Sequence, residues 1–122
     1  MAKTKLFETA HANGVAQFLV TGTGNNTIVL TDDLTGAVDL DAATEGVQGQ
    51  TISITKLHWS GNVTITETDG TDDGVSFPLS GNGAWSQFNG WTPVDVTGTL
   101  TIANTEATGT LFIEVKKGKG YN

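Results

Sequence analysis

The chain has 122 residues, a mass of 12.7 kDa, no cysteine, and six lysines without arginine against 13 acidic residues, for a net charge of −7 and a pI near 4.4. This length suits one domain that buries roughly two-thirds of its unfolded surface, and the missing cysteine excludes disulfides and cysteine-based metal sites. An acidic body without arginine argues against nucleic acid as a partner, because phosphates and base edges need a basic face. No apolar run approaches the ~20 residues of a membrane-spanning helix.

Residues 1–15 show no clean hydrophobic period and read as an N-terminal arm. The start is basic but has no long apolar segment, so no secretory signal is expected. Residues 17–21 are the first strand, and the Gly22-Thr23-Gly24-Asn25-Asn26 loop follows. Thr27-Ile28-Val29-Leu30-Thr31 then alternates apolar residues with threonine. Side chains on a strand point to opposite faces in turn, so this pattern gives one buried and one wet face. Threonine suits the wet face because its branched Cβ fits an extended backbone. Asp32-Asp33-Leu34-Thr35-Gly36 makes a turn, 37–41 alternates again, and 42–49 is ambiguous.

Residues 50–57 form a strong strand. Its apolar parity shifts between Ile54 and Leu57, which predicts a bulge near Lys56. Ser60-Gly61-Asn62 reads as a tight hairpin into a strand over 62–67. An acidic turn over 68–74 leads to a strand over 75–79, a turn at Ser80-Gly81-Asn82-Gly83, and a strand over 84–88. A loop over 89–93 holds Trp91. Residues 94–102 keep one parity with a bend at Gly98. The last strand, 108–117, places Leu111, Ile113 and Val115 on one face, and 118–122 reads as a flexible tail. The whole is an all-β chain: one antiparallel β-sandwich over 16–117, jelly-roll-like, of eight or nine short strands. Immunoglobulin-like and barrel wirings fit the same spacing.

Little in the chain points to chemistry. Asp69-Gly70-Thr71-Asp72-Asp73-Gly74 has the density of oxygen ligands that calcium needs, but Thr71 and Ser80 stand where an EF-hand loop carries carboxylates. An acidic hairpin turn accounts for it. Gly22-Thr23-Gly24 lacks the lysine and following helix of a phosphate loop. His11 and His58 have no nucleophile elbow or paired carboxylates beside them. The expectation is therefore a protein that is not an enzyme and has no metal or cofactor. Trp59 continues a core strand. Trp85 and Trp91 lie in the loop-rich half, where exposed aromatics mark a binding surface for sugar or protein. The lysines cluster at the two ends, Lys3 and Lys5 with Leu6 and Phe7 at one, Lys116, Lys117 and Lys119 at the other. They read either as solvated tails or as basic arms that grip an acidic partner.

Five stretches follow in a telling order: Ile52-Ser53-Ile54-Thr55-Lys56-Leu57-His58-Trp59, Gly61-Asn62-Val63-Thr64-Ile65, Pro78-Leu79-Ser80-Gly81-Asn82-Gly83-Ala84-Trp85, Thr97-Gly98-Thr99-Leu100-Thr101-Ile102-Ala103-Asn104 and Thr110-Leu111-Phe112-Ile113-Glu114-Val115-Lys116-Lys117. This order resembles small virion proteins of tailed bacteriophages, head decoration (cement) proteins in particular. The resemblance covers about half the chain. It implies a β-sandwich made in the host cytoplasm that sits on the capsid exterior, often as a trimer, binds the major capsid protein and holds capsomers together. It brings no catalytic or metal residues. The partner-binding residues expected are Lys3, Lys5, Leu6, Phe7, Trp85 and Trp91. The alternative is a carbohydrate- or receptor-binding module, such as a fibre tip, that uses Trp85 and Trp91.

Overall fold

A computed structural model describes residues 2–9, 14–29, 33–36, 51–68, 73–85, 96–97, 99–105, 108–118 and 121. Among these there is no helix. The elements are β1 (Ala2–Glu8), β2 (Val15–Thr21), β3 (Gly24–Val29), β4 (Thr51–Thr68), β5 (Asp73–Trp85), β6 (Val96–Thr97), β7 (Thr99–Asn104) and β8 (Thr110–Lys117). Seven strands and the two-residue β6 make a single antiparallel sheet, nearly closed into a barrel-like shape. Its main path runs β1-β2-β8-β4-β7-β3, with β5 and β6 also on β4.

The pairing shows that short strands join into longer ones. Leu57 to Ser60 pair with both β5 and β8, and Val63 to Thr66 with both β5 and β7. Strands β7 and β8 therefore lie end to end along one edge of β4, with β5 and β6 along the other. In the same way β2 and β3 run end to end along β8 and β7. Gly22-Thr23, between β2 and β3, and Gly61 and Gly81, within β4 and β5, fall at one level of the sheet. The sheet bends there, as strands do when they turn the corner of a folded sheet. Gly61 (φ 112°) and Gly81 (φ 73°) are paired across this line in a backbone region that glycine alone enters at little cost. At the corner the buried Asn104 donates Nδ2–H to the Gly22 carbonyl at 2.8 Å, and the Gly22 N–H donates to Gly109 O at 3.0 Å.

The apolar side chains of both halves meet inside the barrel-like sheet. Ala16, Phe18, Val20, Ile52, Ile54, Leu57, Leu111, Ile113 and Val115 come from one half, and Ile28, Val63, Ile65, Leu100 and Ile102 from the other. They form one buried cluster, in which each large side chain contributes about 1.5–3 kcal/mol. The seam between the two ends of the path is polar: Lys3 Nζ on β1 donates to Thr27 O on β3 at 2.6 Å and pairs with Asp33 at 2.8 Å.

Several expectations hold and several change. The sheet is antiparallel and all-β, and the register shift falls between Ile54 and Lys56, where the parity break lies. Ser60-Gly61-Asn62 is not a hairpin. β4 runs through it for 18 residues. Likewise β5 passes through Ser80-Gly81-Asn82-Gly83 without turning back. In both places glycine bends a strand instead of ending it, so the strands are fewer and longer than the eight or nine expected. The stretch read as an arm contains β1, in register with β2. The C-terminal stretch read as a flexible tail holds Tyr121, which is buried against the core. The strand expected over 37–41 and the loop over 89–93 lie outside the described residues.

Candidate functional site

Strand β1 inverts the usual pattern of a sheet strand. Its pairing sets Lys3 against Val20, Lys5 against Phe18 and Glu8 against Ala16. Cross-strand partners share a face, and Val20, Phe18 and Ala16 point into the core. So β1 sets its charged residues on the core-facing side of the sheet, with Lys3 and Glu8 half-buried and Lys5 at its exposed margin. None of its residues belongs to the buried apolar cluster. Its apolar residues are instead exposed, Leu6 at 49% and Phe7 at 52%. A bulge between Lys5 and Phe7 leaves Leu6 without a partner in β2.

Those inward charges meet fixed partners. Lys117 on β8 is fully buried, and its Nζ pairs with Glu8 at 2.9 Å and donates to Thr9 O at 2.9 Å and Thr35 Oγ1 at 3.3 Å. Lys5 donates to the other Glu8 oxygen at 2.8 Å, and the Thr35 N–H donates to Glu8 Oε2 at 2.7 Å. Burial pushes the Glu8 pKa up, but the hydrogen bonds from Lys5, Lys117 and Thr35 and the Lys117 charge outweigh it and pull it from 4.5 to about 2. Tyr121 stacks under Lys117 with Nζ 5.8 Å from its ring centre. Burial first, and the Glu8 charge second, raise the Tyr121 pKa. This cluster fixes the end of β1.

The opposite face of the same half-sheet points outward. The register lines up Thr4, Leu19, Phe112, His58 and Ala84 across β1, β2, β8, β4 and β5. The neighbouring row is Phe7, Gln17, Glu114 and Lys56. Leu19 and Phe112 are half-buried, and His58 is exposed. Together with Phe7 they make an apolar stripe on the outside of the sheet. Glu114 is held in place by Gln17 Nε2 at 2.8 Å and Thr55 Oγ1 at 2.8 Å, with Lys56 at 3.8 Å. Lys56 and the exposed Lys116 flank the stripe. Five of the six lysines lie on β1, β4 before Gly61, and β8. Only Glu8 and Glu114 of the 13 acids share those strands.

Of the residues expected to bind a partner, Lys3, Lys5, Leu6 and Phe7 come together on β1. Lys3 and Lys5 are engaged within the chain, so among the described residues Lys56 and Lys116 are the lysines on the outer face. Trp85 lies across the sheet on β5 and is 38% exposed. It pairs with Leu57, and two positions along on the same face Trp59 pairs with Gly83. Trp59 is half-buried and packs on the core edge, and its indole N–H donates to Ser80 O at 3.2 Å. Trp91, His11 and the acidic turn over 69–72 lie outside the described residues. Among the described residues no group of three or more His, Cys, Asp or Glu is placed to hold a metal, and no helix is long and apolar enough to cross a membrane. Sequence reasoning missed Leu19 and Phe112. Their parity places them on the wet faces of β2 and β8, but joining them to Phe7 needs the cross-strand register.

Comparison with protein-family models, with curated proteins and with solved structures returns no match.

Proposed function

We propose that this chain is a non-enzymatic structural protein of a tailed-phage virion, which binds the capsid exterior and stabilises it. Its partner is the major capsid protein, and copies gather as trimers, since cyclic trimers suit three-fold positions on a shell. The halves on either side of the bend serve as the two layers of a small sandwich that stands on the shell. The observation that carries the reading is the outer stripe of Phe7, Leu19 and Phe112 flanked by Lys56 and Lys116, on a molecule that is acidic elsewhere. A centre of aromatic and aliphatic side chains with a charged rim is the anatomy of a protein-binding surface. The resemblance of its motif order to decoration proteins is the ground for naming the partner.

Purified protein incubated with intact expanded phage heads should co-sediment with them. Binding should weaken with salt, because exposed charges are screened over about 10 Å at 0.1 M. The pair Lys56→Glu and Lys116→Glu should reduce binding at least tenfold while the circular dichroism spectrum stays the same. Full binding by that variant, or no binding by the wild-type chain, overturns the proposal. Trp85 favours a second reading, a glycan- or receptor-binding module, because an exposed indole at the sheet margin is suited to stack on a sugar ring. Binding to a glycan array that Trp85→Ala abolishes would select that reading.

A further inference from the structure

The other half of the sheet carries an outer face of a different kind. Ile28, Ile65, Leu100 and Ile102 lie in the core, so their neighbours along each strand point away from it. The register sets Thr27, Thr101, Thr66 and Ser76 in one row across β3, β7, β4 and β5. Ala103, Thr64 and Pro78 stand in the next row. Ser76 and Pro78 are exposed, and the rest are half-buried. Neither row holds a charged residue, although the chain carries a net charge of −7. Thr66 Oγ1 and Ser76 Oγ lie 3.1 Å apart and share one hydrogen bond. A hydroxyl has one donor and two acceptor sites, so the row keeps most of its hydrogen-bonding capacity after that contact.

We infer that this face binds a neutral polysaccharide, laid along the hydroxyl row across the strands. A sugar chain offers hydroxyls at a constant interval, and the row answers with one hydroxyl about every 4.8 Å, the spacing of neighbouring strands. Sugar rings also present C–H faces, and the threonine methyls, Ala103 and Pro78 give these an apolar bed. The lack of charge selects a neutral polymer. An acidic one is repelled by the acidic body, and a basic one finds no carboxylate in these rows. Both rows lie on the far side of the Gly61–Gly81 line from Trp85 and from the stripe of Phe7, Leu19 and Phe112. The site is therefore separate from both, and the inference does not rest on the capsid reading.

Depletion from solution by powdered cellulose, powdered chitin and cross-linked dextran, all neutral, measures the binding, with alginate gel as the acidic control. At least one neutral matrix should deplete the wild-type chain and alginate should not. Salt should have no effect, in contrast to binding on phage heads, because no charge takes part. The double variant Thr66→Val, Thr101→Val keeps side chains suited to a strand and loses two hydroxyls. It should bind at least tenfold more weakly, with an unchanged circular dichroism spectrum and wild-type co-sedimentation with heads. Ser76→Ala, at an exposed position, should weaken binding about threefold, and it carries the test if the double variant loses its sheet signal. Trp85→Ala should bind as wild type. Depletion by none of the neutral matrices would overturn the inference, and so would full binding by the variants that lack hydroxyls. Loss of binding in Trp85→Ala would also overturn it, by placing the sugar at the sheet margin.

Discussion

The ion pair between Glu8 and Lys117 gives the sharpest prediction about stability. Glu8→Gln keeps the shape of the side chain and removes its charge, which leaves the fully buried Lys117 without a counter-ion. The folded-state pKa of about 2 against 4.5 corresponds to about 3 kcal/mol of stabilisation by the ionised carboxylate. That agrees with the ~3–5 kcal/mol typical for breaking a buried pair from one side. The sign follows from linkage. A depressed carboxylate pKa stabilises the fold above the unfolded value, and this contribution disappears as pH falls from about 4.5 to about 2. Denaturant unfolding at pH 7 should therefore show Glu8→Gln destabilised by about 3 kcal/mol, a large share of the ~5–15 kcal/mol of an ordinary domain. The gap between wild type and variant should shrink below pH 4 and close near pH 2. Adding Lys117→Met to Glu8→Gln should recover part of the loss, since two matched apolar groups leave no buried charge. A Glu8→Gln protein as stable as wild type at pH 7, or a gap that does not change with pH, would refute the assignment of Glu8 as the ionised anchor of β1.

Deleting residues 2–7 should leave a folded, sheet-rich domain that binds heads more weakly, because β1 supplies nothing to the buried apolar cluster. Loss of the sheet signal in circular dichroism would show instead that β1 is needed for folding. Ile113→Ala, at a fully buried position, should cost about 2–5 kcal/mol in denaturant unfolding, whereas Thr64→Ala on the wet face of β4 should stay within about 0.5 kcal/mol. A Cβ at Gly83 would overlap the Trp59 indole, so Gly83→Val should cost about 1–3 kcal/mol and shift tryptophan emission. Gly81 has open space around it but a φ of 73°, so Gly81→Ala should cost about 1–2 kcal/mol with emission unchanged.

The sequence shows the sheet where apolar and threonine residues alternate. Ile52, Ile54, Val63, Ile65, Leu100, Ile102, Leu111, Ile113 and Val115 all point inward as their parity requires, and the bulge near Lys56 is visible as a break in that parity. It conceals the continuity of β4 and β5. A glycine beside asparagine has the same local signature in a hairpin turn and in a mid-strand bend, and only pairing with β7 and β8 tells them apart. It also conceals β1. A strand is recognised by its apolar period, and β1 has charges at its inward positions, so it reads as irregular. For the candidate site, Leu6 and Phe7 are legible as apolar residues outside any core pattern. Lys3 and Lys5 are misread as free cations because their partners, Asp33, Thr27 and Glu8, meet them only across the seam and the bulge.

The inversion of β1 bears on function as well as on fold. A strand that served folding alone would turn Leu6 and Phe7 inward, where each adds about 1.5–3 kcal/mol, and leave its lysines in water. Here the core-facing side holds Lys3, Glu8 and the more exposed Lys5; the Lys3 pair closes the seam, and the Glu8 pairs with Lys5 and Lys117 anchor the strand. Buried pairs are weak contributors to net stability, because desolvation opposes their attraction. They do fix geometry, since each charge must find its own partner. The arrangement thus gives up apolar burial inside the monomer and holds two large apolar residues rigidly at its surface, next to Leu19 and Phe112. Exposing them is a disadvantage for a chain that stays alone and an advantage for one that is covered on assembly. This is the physical ground for seeking the partner at β1 and the adjoining outer face before any other part of the molecule.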